Sequence, residues 1–202
     1  MDAATCSICH DHGWLHSRSD GRRALPLFHL EASSRRRIVF VFEAPNLADT
    51  YDQDKGRMTC DPNTDPSGRF TLELLAHVGL SPQDVVFTNS VLCLPANRSG
   101  KFPVRHGQRM ACLPWLRRLI LDIDAKVVVT GGVHALNAVN RLERHRLKLR
   151  HHAGRAHPWF GRILLPLYHP SALGRVTRSR AEQISDVEAL VPYSRSSSRS
   201  PS

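Results

Sequence analysis

Residues 38–46 read Ile38-Val39-Phe40-Val41-Phe42-Glu43-Ala44-Pro45-Asn46. The first five are all apolar, and the acid, the proline and the amide follow at once. A strand with one wet face alternates apolar and polar residues, so an unbroken apolar run predicts a strand buried on both faces. Three more runs repeat the pattern: Val85-Val86-Phe87-Thr88, Lys126-Val127-Val128-Val129-Thr130 and Ile163-Leu164-Leu165-Pro166-Leu167-Tyr168.

Helical patterns separate these runs. Residues Gly68 to Val78 are amphipathic and stop at Gly79, a residue suited to ending a helix. His106–Leu121, Val133–Arg146 and Ser179–Leu190 are the other helical candidates. Strands alternating with helices predict an α/β fold, here a three-layer α/β/α sandwich around a central four-stranded parallel sheet. One domain is expected over residues 1–192, with a disordered Ser/Arg-rich tail over 193–202.

The 202 residues, 41% of them hydrophobic, suffice for one sizeable core. No apolar stretch approaches the roughly 20 residues that span a bilayer. The N-terminus is polar and carries two cysteines, unlike a secretory signal, so an intracellular, cytoplasmic protein is expected. The net charge of +10 favours a polyanionic partner, nucleic acid above all. That charge is uneven: from Arg141 to Arg180 ten Lys/Arg face a single acid, Glu143. Solvated helix faces are the plain explanation of such a run, and phosphate contact the functional one.

Ligands of open parallel sheets bind beyond the carboxyl ends of the strands. Glu43-Ala44-Pro45-Asn46 follows the first run, Asn89 the second, Gly131-Gly132 the third and His169-Pro170-Ser171 the fourth. An acid, an amide and an imidazole at neighbouring strand ends predict one site. No Gly-x-Gly-x-x-Gly or phosphate-binding loop points to a nucleotide-binding protein instead.

These segments resemble the motifs of the uracil-DNA glycosylase superfamily, and within it the iron–sulfur branch of bacteria and archaea known as family 4. The first motif of that family, Gly-Glu-Ala-Pro-Gly, corresponds to Phe42-Glu43-Ala44-Pro45-Asn46. The second corresponds to Thr88-Asn89-Ser90-Val91-Leu92-Cys93-Leu94-Pro95, and the last to His169-Pro170-Ser171-Ala172-Leu173-Gly174-Arg175. Both glycines of the first motif are replaced, by Phe42 and Asn46. The family's base-stacking aromatic has no counterpart in Gly56-Arg57-Met58-Thr59; Tyr51 and Phe70 are the nearest alternatives.

The resemblance implies excision of uracil from DNA by a monomeric enzyme with no membrane partner, associated with the bacterial nucleoid. His169 would donate to the departing base, and a dry, preorganised donor of that kind contributes about 3–4 kcal/mol. Asn89 would read uracil through an acceptor and a donor that cytosine mismatches. Ala44 and Asn46 would border the base. Glu43 or Asp49 would orient water and stabilise the cationic sugar; the residues alone do not choose between them, and Asp52 and Asp54 stand behind them. The base must leave the stack first. Leu173 suits either an apolar wedge or a core position, and Ser171, Arg175, Arg178 and Arg180 are candidate contacts to the DNA.

Cys6-x-x-Cys9 with the distant Cys93 and Cys112 matches the family's four ligands to a [4Fe–4S] cluster, which would tie the arm 1–36 to the core; zinc is the rival occupant of four thiolates. Cys60 is left over. Two other functions fit the same residues: a glycosylase for another deaminated or mismatched base such as hypoxanthine, or a non-catalytic protein that binds damaged DNA.

Overall fold

A computed structural model of the chain describes residues 6–15, 37–45, 65–96, 98 and 103–194. Asn46, Asp49, Tyr51, Asp52, Asp54 and Cys60 lie outside the described residues.

Five strands form one sheet in the order β2-β1-β3-β5-β4. They are β1 (Ile38–Phe42), β2 (Val85–Asn89), β3 (Val127–Gly131), β4 (His157–Trp159) and β5 (Arg162–Leu167). β1 pairs in parallel with β2 and β3, and β3 with β5. The four apolar runs are these four strands, displaced by a residue at most ends. The expected four-stranded parallel sheet gains one member: β4 adds antiparallel to β5. Three residues with a central proline carry no strand signal. They become a strand because Phe160 (φ 49°) and Gly161 (φ 67°) fold the chain back. Two successive left-handed residues make the hairpin turn whose twist suits paired strands.

Side chains alternate along the strands, so each face of the sheet collects its own core. Ile38, Phe40, Phe87, Val129 and Leu165 meet helix α2 (Pro66–His77) and helix α7 (Arg180–Val187) on one face. Val39, Val41, Val128 and Leu164 meet α3 (His106–Asp122) and α4 (Val133–Leu142) on the other. Burial on both faces is what the unbroken apolar runs required.

The helix ends follow local chemistry. Asp65 accepts a hydrogen bond from Ser67 N–H at 2.9 Å and Pro66 opens α2. Ser179 and Glu182 cap α7 reciprocally. Helix α4 stops at Leu142, short of the expected Arg146. Its next residue, Glu143, is extended (φ −149°, ψ 125°), and the Trp159 indole donates to the Glu143 carbonyl at 2.8 Å.

Short helices complete the chain: α1 (Ile8–Asp11), α5 (Leu149–His152), α6 (Ala172–Thr177) and α8 (Val191–Ser194). Residues 6–15 dock on α3. The Trp14 carbonyl accepts from Ala96 N–H and from the buried Gln108 amide, and the Trp14 ring fills the place where Gly107 would carry a Cβ. At the other end Tyr193, in α8, packs against the core. No helix among the described residues is long and apolar enough to cross a membrane.

Candidate active site

The carboxyl ends of β1, β2, β3 and β5 form one edge of the sheet. The register sets Phe42 beside Asn89, and Gly131 beside Leu167. The loops beyond the strands are clasped: Ser90 N–H donates to the Phe42 carbonyl at 2.7 Å, while Val91 N–H and Ser90 Oγ donate to the Glu43 carbonyl at 2.9 and 2.8 Å. Glu43 and Asn89 thus leave adjoining strands on backbones fixed to each other.

A cavity of about 440 Å³ opens at this edge, walled by Glu43, Gly131, His134, Tyr168, His169 and Leu173 among others. Its volume lies within the ordinary range for small-molecule sites. Glu43 and His169 therefore line the same cavity. Asn89 does not line it. That residue is 2% exposed, on the same edge but across Phe42 from His169.

The state of His169 follows from its surroundings. Burial lowers its pKa below the usual 6.5, and the charges of Asp65 and Glu43 oppose that only in part. The ring is neutral at neutral pH. Ser171 N–H donates to its Nδ1 at 3.1 Å, so the single ring proton resides on Nε2. Gly174, within α6, is pressed against the His169 carbonyl so closely that any Cβ there would collide with it.

Glu43 is held by groups that the sequence alone did not single out. Arg109 of α3 donates to its Oε1 at 2.7 Å, and His134 Nδ1 of α4 lies 3.6 Å from the same oxygen. The carboxylate stays partly exposed, within reach of water. Asp65, nearly buried at the start of α2, is a second acid that sequence reading passed over; its charge acts on His169. Ala44 packs in a small cluster with Val91, Leu92 and Cys112.

The segment after His169 divides in two. Leu173 and Val176 are 79% and 84% exposed on α6, beside the cavity, so Leu173 is no core residue. Ser171 caps that helix, accepting from Gly174 N–H at 3.3 Å. The arginines are engaged within the protein, Arg175 and Arg178 half-buried and Arg180 exposed. Arg175 donates to the Pro170 carbonyl at 2.5 Å and lies over Phe70. Arg180 pairs with Glu73 and lies over the same ring. Arg178 grips Asp186 with two nitrogens, at 2.9 and 2.7 Å, and Glu182 with the third, at 3.1 Å. Its geometry is that of an internal clamp rather than a phosphate hand. Removing it would strand the nearly buried Asp186 carboxylate, a change that costs about 1–3 kcal/mol. Arg178→Ala should accordingly lower the urea midpoint by that equivalent, while changing affinity for undamaged DNA little; the reverse pattern would restore the phosphate role.

Cys6, Cys9, Cys93 and Cys112 gather between the N-terminal arm, the loop after β2 and α3, and none forms a disulfide. Cys93 is pushed far above the ordinary thiol range by its hydrogen bond with Cys9, by burial, and by the nearby Cys112, Cys9 and Cys6 thiols. Cys112 is pushed up to about 12 by burial first, with Cys9 and Cys6 adding to it. No group of three or more His, Cys, Asp or Glu side chains among the described residues is arranged to hold a metal ion. Buried thiols that resist one another's ionisation are a donor set that a cation would relieve.

A sheet covered on both sides, with an acid, an amide and a neutral imidazole on its carboxyl edge and a cavity opening there, defines an α/β protein with a candidate small-molecule site at that edge. The chain belongs to the uracil DNA glycosylase superfamily, whose family model matches residues 29–190. It is 27% identical over 151 residues to the type-4 uracil-DNA glycosylase of Saccharolobus solfataricus, covering 70% of this chain and 64% of that protein. It is 29% identical over 161 residues to the type-4 uracil-DNA glycosylase of Thermotoga maritima, covering 78% of each. A third relative, the type-4 uracil-DNA glycosylase of Pyrobaculum aerophilum, is 29% identical over 159 residues.

Proposed function

We propose that the protein hydrolyses the N-glycosidic bond of uracil in DNA after drawing the nucleotide out of the stack. The observation that carries this reading is His169: neutral through burial, with its proton confined to Nε2 by Ser171, in the wall of a base-sized cavity that Glu43 shares. The names of the relatives supply the base.

When the bond between the sugar's anomeric carbon and uracil N1 breaks, both electrons leave with the base. The negative charge gathers on uracil O2, where the His169 Nε2–H hydrogen bond strengthens. The sugar is left cationic. Glu43, held in place by its hydrogen bond from Arg109, faces that charge and aligns the water whose oxygen joins the sugar. The water's proton passes to the carboxylate and on to solvent. Asn89 reads N3–H and O4 from the far side. Asp49 keeps its place as the alternative acid, and Ala44 and Asn46 theirs beside the base. Leu173 enters the stack where the base was, which its exposure beside the cavity supports.

Cys6, Cys9, Cys93 and Cys112 would hold the [4Fe–4S] cluster, whose contribution is to fasten the arm 1–36 to the domain. The docking of Trp14 on α3 supports that placement. Anaerobically purified protein should absorb broadly near 400 nm, in proportion to its iron content. A colourless protein carrying one equivalent of zinc would replace iron–sulfur by zinc.

The test of the function is release of free base from oligonucleotides carrying uracil, hypoxanthine, xanthine or mismatched thymine. Uracil should be released. Release of hypoxanthine alone would change the substrate, and binding without any release would leave a damage-binding protein.

A further inference from the structure

The family's stacking aromatic has no counterpart in the loop where it was sought, yet an aromatic ring stands where the family has glycine. Phe42 ends β1. Its Cα partner on β2 is Asn89, and paired residues of parallel strands project to the same face. On the opposite side the Phe42 ring meets the His169 ring edge-on, with centroids 5.5 Å apart. The strand order puts β1 between β2 and the β3–β5 pair. Phe42 thus stands between the residue that would read the base and the residue that would receive its charge.

The ring occupies this place because β3 makes room for it. A Cβ at Gly131 would fall 2.5 Å from Phe42 Cδ1 and Cε1, so the ring lies across the bare backbone of Gly131 towards His169. It is steadied from below by Phe87, stacked at 6.5 Å between centroids. It is only partly buried. A flat apolar surface, braced from beneath, spans the gap between Asn89 and His169.

We propose that Phe42 is the platform on which the extruded base lies, with Gly131 as the notch that lets the ring reach it. This rests on the reading of the protein as a uracil-DNA glycosylase and assigns the base-stacking surface within that site. A pyrimidine that touches Asn89 on one side and His169 on the other has to cross Phe42. The ring supplies stacking without reading sequence, since every base has a π-face. A β1 residue thereby takes over a task that the family gives to a loop, and the rigid sheet edge replaces the loop as its support.

The experiment uses free uracil as the probe, alongside release of uracil from DNA. Phe42→Leu keeps apolar volume and loses the ring. It should raise the inhibition constant of free uracil and lower kcat/KM for uracil-DNA by about 5- to 150-fold, the usual loss when an aromatic is removed from beneath a base. Affinity for DNA bearing an abasic site, which has no base to stack, should stay as it was. In the wild type the H5 and H6 resonances of bound uracil should move upfield, as protons over a phenyl ring do, and this measurement needs no variant to fold. Unchanged resonances, an unchanged inhibition constant in Phe42→Leu, or a Phe42→Gly protein more active than wild type would each overturn the platform, the last by showing the ring to be a plug. A wild type that neither releases nor binds uracil would fail earlier and take the reading of function with it.

Discussion

Replacing His169 by alanine should slow uracil release by about 10²–10³-fold in kcat, the usual loss when one preorganised donor to a developing anion is removed. Binding of uracil-containing DNA should weaken far less, because the bond to O2 gains its strength only as charge accumulates. The pH dependence separates a neutral donor from a charged one. Burial lowers the His169 pKa, so protonation is weaker in the folded protein than in the unfolded chain. A neutral imidazole keeps its Nε2 proton as pH rises, and the rate should show no alkaline fall assignable to His169 between about pH 7 and 9. A protonated histidine acting as an acid would lose activity across that range. The stability term has a matching sign. The unfolded chain binds the proton more readily, so this group favours the fold above the usual pKa of 6.5, and its contribution fades as pH falls through the window below it. His169→Ala should flatten that acid-side fall in a urea titration series. Full base release by the alanine variant would remove His169 from the chemistry.

The second large effect is expected at Asn89. Two hydrogen bonds to uracil would be lost in Asn89→Ala, and a base edge buried without partners costs about 1–3 kcal/mol for each group. Uracil release should drop by about 10²–10⁴-fold in kcat/KM. The preference over cytosine, about 10⁴-fold when a site is built around such a pair, should shrink with it. Parallel assays on uracil and cytosine oligonucleotides read both. An Asn89→Ala protein with unaltered preference would show that the amide serves the loop after β2 rather than the base.

Much of this was open to reading along the chain. Ile38–Phe42 was recognisable as a strand because both of its faces are covered, and the same holds for Val85–Asn89, Val127–Gly131 and Arg162–Leu167. The residues that follow those strands predicted that Glu43, Asn89 and His169 would lie on one edge, since parallel topology brings strand ends together; of the three, Glu43 and His169 line the cavity there and Asn89 does not. What stayed hidden depends on distant partners. The β4 strand exists through its turn and its pairing with β5, which three residues around Pro158 do not announce. Arg178 looks like a free cation in sequence; the acid that claims it, Asp186, is buried by tertiary packing. Arg109, His134 and Asp65 reach the site from three different helices and carry no local mark of doing so. Phe42 was visible as a departure from the family pattern, but its reach became apparent only with Gly131 beside it.

The contact between Gly174 and the His169 carbonyl has a mechanical side. With no room for even a methyl group between them, the short helix and the histidine are packed as one piece. Leu173, the neighbouring residue, stands out from that piece like the tip of a lever. If DNA bears on Leu173 as proposed, the load would reach the backbone of His169 through this contact, and gripping the duplex would be coupled to placing the imidazole.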